Sequence, residues 1–146
     1  MNRDVLNFLG ITHIINITQH IGNQFENDGI QYLSIKIEDR DSYQVSPYFR
    51  ETYNFIETAL FGDEFSDVNI TLNKLGLEDF KEEYESINSC QSRNKLIQLI
   101  FKAMSNEQNK NRILIHCSMG VSRSPTMCIM YLMKKLKITL NDVKKI

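Results

Sequence analysis

Residues Ile11-Thr12-His13-Ile14-Ile15-Asn16-Ile17-Thr18 make a nearly unbroken β-branched, apolar run, and shorter buried-type runs follow at Tyr32–Ile37 and Arg112–His116. A strand with one wet face alternates apolar and polar residues. A continuous apolar run needs cover on both faces, and that points to a parallel sheet between helices. Helical stripes fall where such a fold needs them. Phe49, Tyr53, Ile56 and Leu60 lie at offsets 0, 4, 7 and 11 behind Ser46-Pro47, read as an N-cap and a first helical position. Met127 to Leu136 are apolar nearly all round behind a second Ser-Pro pair, Ser124-Pro125. Lys134, Lys135 and Lys137 follow where cations suit the C-terminal end of a helix dipole. Val5, Leu6, Phe8 and Leu9 before Gly10 read as a short helix with a glycine stop. The alternation predicts an α/β fold with a mostly parallel central sheet flanked by helices.

At 146 residues, with 42% hydrophobic and 24% charged, the chain fits one core. No apolar run approaches the roughly 20 residues of a spanning helix, so no membrane partner is expected. A net charge of -1 lacks the basic footprint of a nucleic-acid binder. Three cysteines are too few for a disulfide framework and fit a reducing compartment, with the cytoplasm as the expected location and the nucleus as the second choice. The charge is unevenly spread. Residues 61–91 carry a net charge of -6, leaving +5 on the rest, a body suited to anions. That acidic segment reads as a helical insertion with the stripe Leu77, Phe80, Tyr84 and Ile87, or simply as a solvated helix face. Val68, Ile70 and Leu72 weakly suggest a strand, and Ser92 caps a further helix carrying Leu96 to Met104.

The chemistry concentrates in His116-Cys117-Ser118-Met119-Gly120-Val121-Ser122-Arg123-Ser124. A cysteine leaves the end of a buried strand, a glycine permits a tight turn, and a helix starts a few residues later. Successive amides in such a loop, with the helix N-terminus, form an anion cradle. Arg123 can hold two phosphate oxygens at once. The same field favours the Cys117 thiolate, whose pKa can fall from about 8.5 to roughly 3.5–7.5. A nucleophile and an oxyanion clamp thus share one loop.

This segment resembles the Cys-x5-Arg loop of the protein tyrosine phosphatase superfamily, in the His-Cys-x-x-Gly-x-x-Arg-Ser form of the dual-specificity phosphatases. Five fixed residue types in nine positions arise by chance about once in 10⁵ chains of this size. The resemblance extends to Leu9-Gly10-Ile11-Thr12-His13-Ile14-Ile15-Asn16, to Tyr32 through Ser46-Pro47-Tyr48-Phe49, and to Met130-Tyr131-Leu132-Met133-Lys134. About two-thirds of the chain is covered, with 61–91 outside. It implies one catalytic domain over 1–146, truncated at both ends, that hydrolyses phosphotyrosine and phosphoserine/threonine in proteins through a phosphocysteine. Cys117 would be the nucleophile. Arg123 and the amides of Ser118, Met119, Gly120, Val121 and Ser122 would bind the phosphoryl oxygens. His116 would hold the loop and help keep the thiol ionised, and Ser124 would assist the sulfur as leaving group, though it doubles as a helix cap. Asp39 would be the general acid, preferred to Asp41 for its spacing from the second strand and from Phe49.

No metal or other cofactor is required, and the implied partner is a phosphorylated protein. The loop has no lysine for phosphoinositide headgroups and lacks the second glycine of tyrosine-specific enzymes. Two rival readings are a phosphopeptide-binding pseudophosphatase and another Cys-loop enzyme such as a sulfurtransferase or an RNA triphosphatase. His13 and His20 take no catalytic part in this reading, and Cys90 and Cys128 are ordinary thiols.

Overall fold

A computed structural model describes residues 1–38, 40, 43–62 and 110–144. Within them three short parallel strands, β1 (His13–Asn16), β2 (Gln31–Ser34) and β3 (Ile113–His116), lie in the order β2-β1-β3. Helices α1 (Arg3–Phe8), α2 (Phe49–Phe61), α3 (Arg123–Leu136) and α4 (Leu140–Val143) complete the described elements. This is the α/β arrangement that the apolar runs predict. The insertion beyond Phe61, the weak strand at 68–72, the helix after Ser92, and Cys90, Asp39 and Asp41 lie outside the described residues.

Because side chains alternate along a strand, the sheet sorts its residues between two cores. Ile15 and Ile17 join Ile35, Ile37, Ile56, Met127, Tyr131 and Cys117 under α2 and α3. Ile14 packs on the other face with Leu6 of α1 and Ile30. The central strand β1 is buried at every position, as a continuous apolar run should be. β2 corrects its expectation: Gln31 and Ser34 are exposed, and burial resumes only beyond the strand at Ile35 and Ile37. It flanks β1 among the described residues, so its own alternation decides what it buries.

The helix ends show which local signals hold. α1 stops as its glycine requires. Gly10 takes φ +65° and donates to Asn7 O, while Ile11 N donates to Leu6 O at 2.9 Å. This pairing satisfies the last helical carbonyls and brings Ile11 onto the Leu6 core. Neither Ser-Pro pair caps a helix. Ser46-Pro47 forms a 3-10 turn that feeds α2 at Phe49, with no side-chain cap bond. α3 starts at Arg123 with Ser122 in the cap position, so Ser124 lies inside the first turn. That shift frees its hydroxyl for the sulfur, as described below.

A buried charge pair joins the two core helices. Lys135 Nζ lies 2.6 Å from Glu57 Oε2, and Tyr131 Oη donates to Glu57 Oε1 at 2.9 Å. Glu57 is 1% exposed and Lys135 3%. Lys135 lies in the last turn of α3, where a cation suits the helix dipole, and it also neutralises an acid on α2. Lys134 lies over the Tyr53 ring at 3.9 Å, so its ammonium also meets α2.

Candidate active site

The carboxyl ends of the three parallel strands converge, and this edge is where α/β sheets bind ligands. Ile17 N donates to His116 O at 2.9 Å and Ile35 N to Asn16 O at 2.8 Å, which keeps the chain in register past the strands. Cys117 is the first residue after β3. Between it and α3, Gly120 turns the loop at φ +71°, a left-handed conformation that costs an L side chain. Among the described residues, and its chain neighbours apart, nothing lies within 4 Å of where its Cβ would stand, so the backbone angle is what calls for glycine here.

That turn brings donors to the sulfur. Gly120 N donates to Cys117 Sγ at 3.2 Å, and the Ser124 hydroxyl also lies 3.2 Å from the sulfur. Burial pushes the Cys117 thiol up. The hydrogen bonds from the Ser124 side chain and from the Ser124, Gly120 and Met119 amides outweigh it and bring the thiol down to about 7. These donors bring the thiol within reach of neutral pH. Ser124, which the sequence leaves between cap and catalytic group, has its hydroxyl on the sulfur.

Arg123 is buried, and its guanidinium reaches across the strand ends. Nη1 donates to Ile37 O at 2.8 Å and to Ile17 O at 3.2 Å, and Nη2 donates to Ser118 Oγ at 3.3 Å. These carbonyl anchors carried no signal in the sequence, because any residue offers a carbonyl. Ile37 stands two residues before Asp39, so the arginine grips the segment that leads to the expected acid, although Asp39 itself lies outside the described residues.

Burial lowers the His116 imidazole below 6.5, against a hydrogen bond to the Cys117 backbone. A neutral ring brings no positive charge to the thiolate at pH 7, so its contact with the loop is its main contribution. Met119, Val121 and Ser122 are exposed on the rim. His13 sits at the opposite end of β1, edge-on to Phe55 with ring centroids 5.6 Å apart. Cys128 is exposed on α3, and desolvation of its sulfur raises its thiol.

Iodoacetamide should therefore separate the two cysteines by pH. The thiolate is the reactive form, so alkylation of Cys117 should fall about tenfold per pH unit below 7 and level off above it. Cys128 should lag until higher pH. Peptide-resolved mass spectrometry reads both, and a Cys117 midpoint near 9 would show that the loop does not stabilise the anion.

Comparison with known proteins agrees with this arrangement. The family model "Dual specificity phosphatase, catalytic domain" matches residues 63–146, a span that takes in the acidic segment as well as the loop. The chain is 29% identical to human dual specificity protein phosphatase 6 over 143 residues, covering 97% of this chain and 25% of that protein. It is 30% identical to human dual specificity protein phosphatase 7 over 142 residues, covering 97% and 23%. It is 27% identical to dual specificity protein phosphatase 1-B of Xenopus laevis over 140 residues, covering 96% and 25%. The chain spans about a quarter of the length of these relatives. With more than half of its residues matched by the family model and its cysteine, glycine, arginine and serine gathered at one strand end, the chain belongs to the dual specificity phosphatase catalytic-domain family.

Proposed function

We propose that residues 1–146 form one catalytic domain that hydrolyses phosphotyrosine and phosphoserine/threonine in proteins through a phosphocysteine. The observation that carries this reading is the sulfur of Cys117, held at about 7 between the Gly120 amide and the Ser124 hydroxyl. In the first step Sγ attacks phosphorus. The P–S bond forms as the ester P–O bond breaks, and the leaving oxygen takes a proton from Asp39. Arg123 and the amides of residues 118–123 stabilise the charge on the three equatorial oxygens. In the second step water attacks phosphorus and gives its proton to Asp39. The P–S bond breaks, and the Ser124 hydroxyl stabilises the returning thiolate. Inorganic phosphate leaves.

No residue from Cys117 to Arg123 adds a lysine for a multiply phosphorylated headgroup, which favours a protein phosphoester as substrate. No helix among the described residues is long and apolar enough to cross a membrane.

Rapid acid quench during turnover of p-nitrophenyl phosphate should trap a phosphoryl group on the Cys117 peptide. Asp39→Asn should slow turnover by about 10² to 10⁴. Turnover with the phosphoryl group found on another residue would overturn the mechanism. A protein that binds phosphopeptides without turning them over would be the pseudophosphatase instead.

A further inference from the structure

Beside the phosphate loop, the chain leaving β1 carries a side-chain network that the chemistry above does not use. Asn16 and Thr18 are both buried and flank Ile17. The ladder continues past β1 through Ile17 N, which donates to His116 O, so the two side chains fall on one face. The Thr18 hydroxyl donates to Asn16 Oδ1 at 2.6 Å, with Ile21 O farther off at 3.2 Å. Asn16 Nδ2 donates to Ile21 O at 2.8 Å and to Asn23 Oδ1 at 3.0 Å. Asn23 Nδ2 in turn donates to Ser34 Oγ at 2.8 Å, at the end of β2. The peptide group joining Ile17 to Thr18 is thus held by side chains on either side of it. Its carbonyl is one of the two that accept from Nη1 of Arg123.

We infer that Thr18, acting through Asn16, is a positioning residue of the phosphate clamp: its hydroxyl fixes the peptide plane that carries Ile17 O, and Ile17 O helps to fix the guanidinium of Arg123. This inference rests on the phosphatase reading of the site. Valine at position 18 would keep the shape of the side chain but deprive Asn16 Oδ1 of its Thr18 donor. A buried amide oxygen that loses its donor costs more than the bond alone, so the peptide would turn to relieve it. Ile17 O would turn with it. Misplacement by about 1 Å, caused from outside the chemistry, can cost about 10² in rate. The loss here should be smaller, because Ile37 O still accepts from Nη1 at 2.8 Å. The donors that lower the Cys117 thiol come from Ser124, Gly120 and Met119 and not from this network. Removing the Thr18 hydroxyl should therefore weaken the clamp and leave the acidity of the sulfur unchanged.

Protection of Cys117 from iodoacetamide by inorganic phosphate reads the clamp, and the pH midpoint of the same alkylation reads the sulfur. In Thr18→Val the half-protecting phosphate concentration should rise about two- to tenfold, the range of one net hydrogen bond, with the midpoint unmoved. Thr18→Ser keeps the hydroxyl and should match the parent protein. Added to Arg123→Met, Thr18→Val should raise the concentration no further, because its effect passes through the guanidinium. Melting temperatures check that each variant is folded. An unchanged half-protecting concentration in Thr18→Val overturns the inference alone, as does a Thr18→Ser protein that behaves like the valine variant. A midpoint that shifts in Thr18→Val, or a further rise on the Arg123→Met background, also overturns it and leaves the network a general structural role. If phosphate fails to protect Cys117 in the parent protein, the anion cradle and the phosphatase reading fall together with the inference.

Discussion

Cys117→Ser should lower turnover of p-nitrophenyl phosphate by at least about 10⁴ while leaving the protein folded, because loss of a covalent nucleophile is not made up by the rest of a site. The loop stabilises an anion at about 7 on sulfur, and it does so with amides and a hydroxyl rather than with a general base. A serine hydroxyl in the same place stays protonated at that pH, so the donors that favour the thiolate would face an oxygen that is a poor nucleophile. The Gly120 and Met119 amides and Arg123 remain, so phosphate should still bind. Binding retained with turnover lost is the expected pair of results. Residual turnover within about tenfold of the parent would show that another group attacks phosphorus, and it would overturn the assignment of Cys117.

The second large effect is on stability. Lys135→Met should destabilise the fold by about 3–5 kcal/mol, a fall in Tm on the order of 10 °C, because it strands the Glu57 carboxylate in the α2–α3 interface. The charge, rather than the lost contact, carries most of this cost. Removing the whole cluster in Glu57→Leu/Tyr131→Phe/Lys135→Met should therefore recover a substantial part of the loss. Denaturant midpoints of the two proteins measure it. A single variant within about 1 kcal/mol of the parent would mean that water reaches the pair, as it does at exposed ion pairs.

The parts of this structure that were legible from the sequence are those where chemistry or geometry restricts the residue type. A left-handed turn calls for Gly120, and a strand covered on both sides for the isoleucines of β1. Where several roles fit one residue, the sequence could not separate them. Ser124-Pro125 reads as a cap and first turn, but α3 begins one residue before Ser124, and its hydroxyl faces sulfur instead. Lys135 reads only as a cation suited to a helix end, because its partner, Glu57, is 78 residues away and no local pattern pairs them. β2 reads as buried because its apolar residues continue past its end, whereas pairing with β1 stops at Ser34. The carbonyls of Ile17 and Ile37 leave no mark in a sequence at all.

Those two carbonyls give the arginine a second occupation. A single guanidinium ties the chain leaving β1 to the chain leaving β2 from the base of the phosphate loop, as a rivet through three plates. An inactive protein made by changing Arg123 would therefore combine lost chemistry with loosened architecture, and its behaviour in a cell could not be ascribed to either. A substitution at the sulfur leaves that rivet in place, which makes it the cleaner way to remove the nucleophile without loosening the fold.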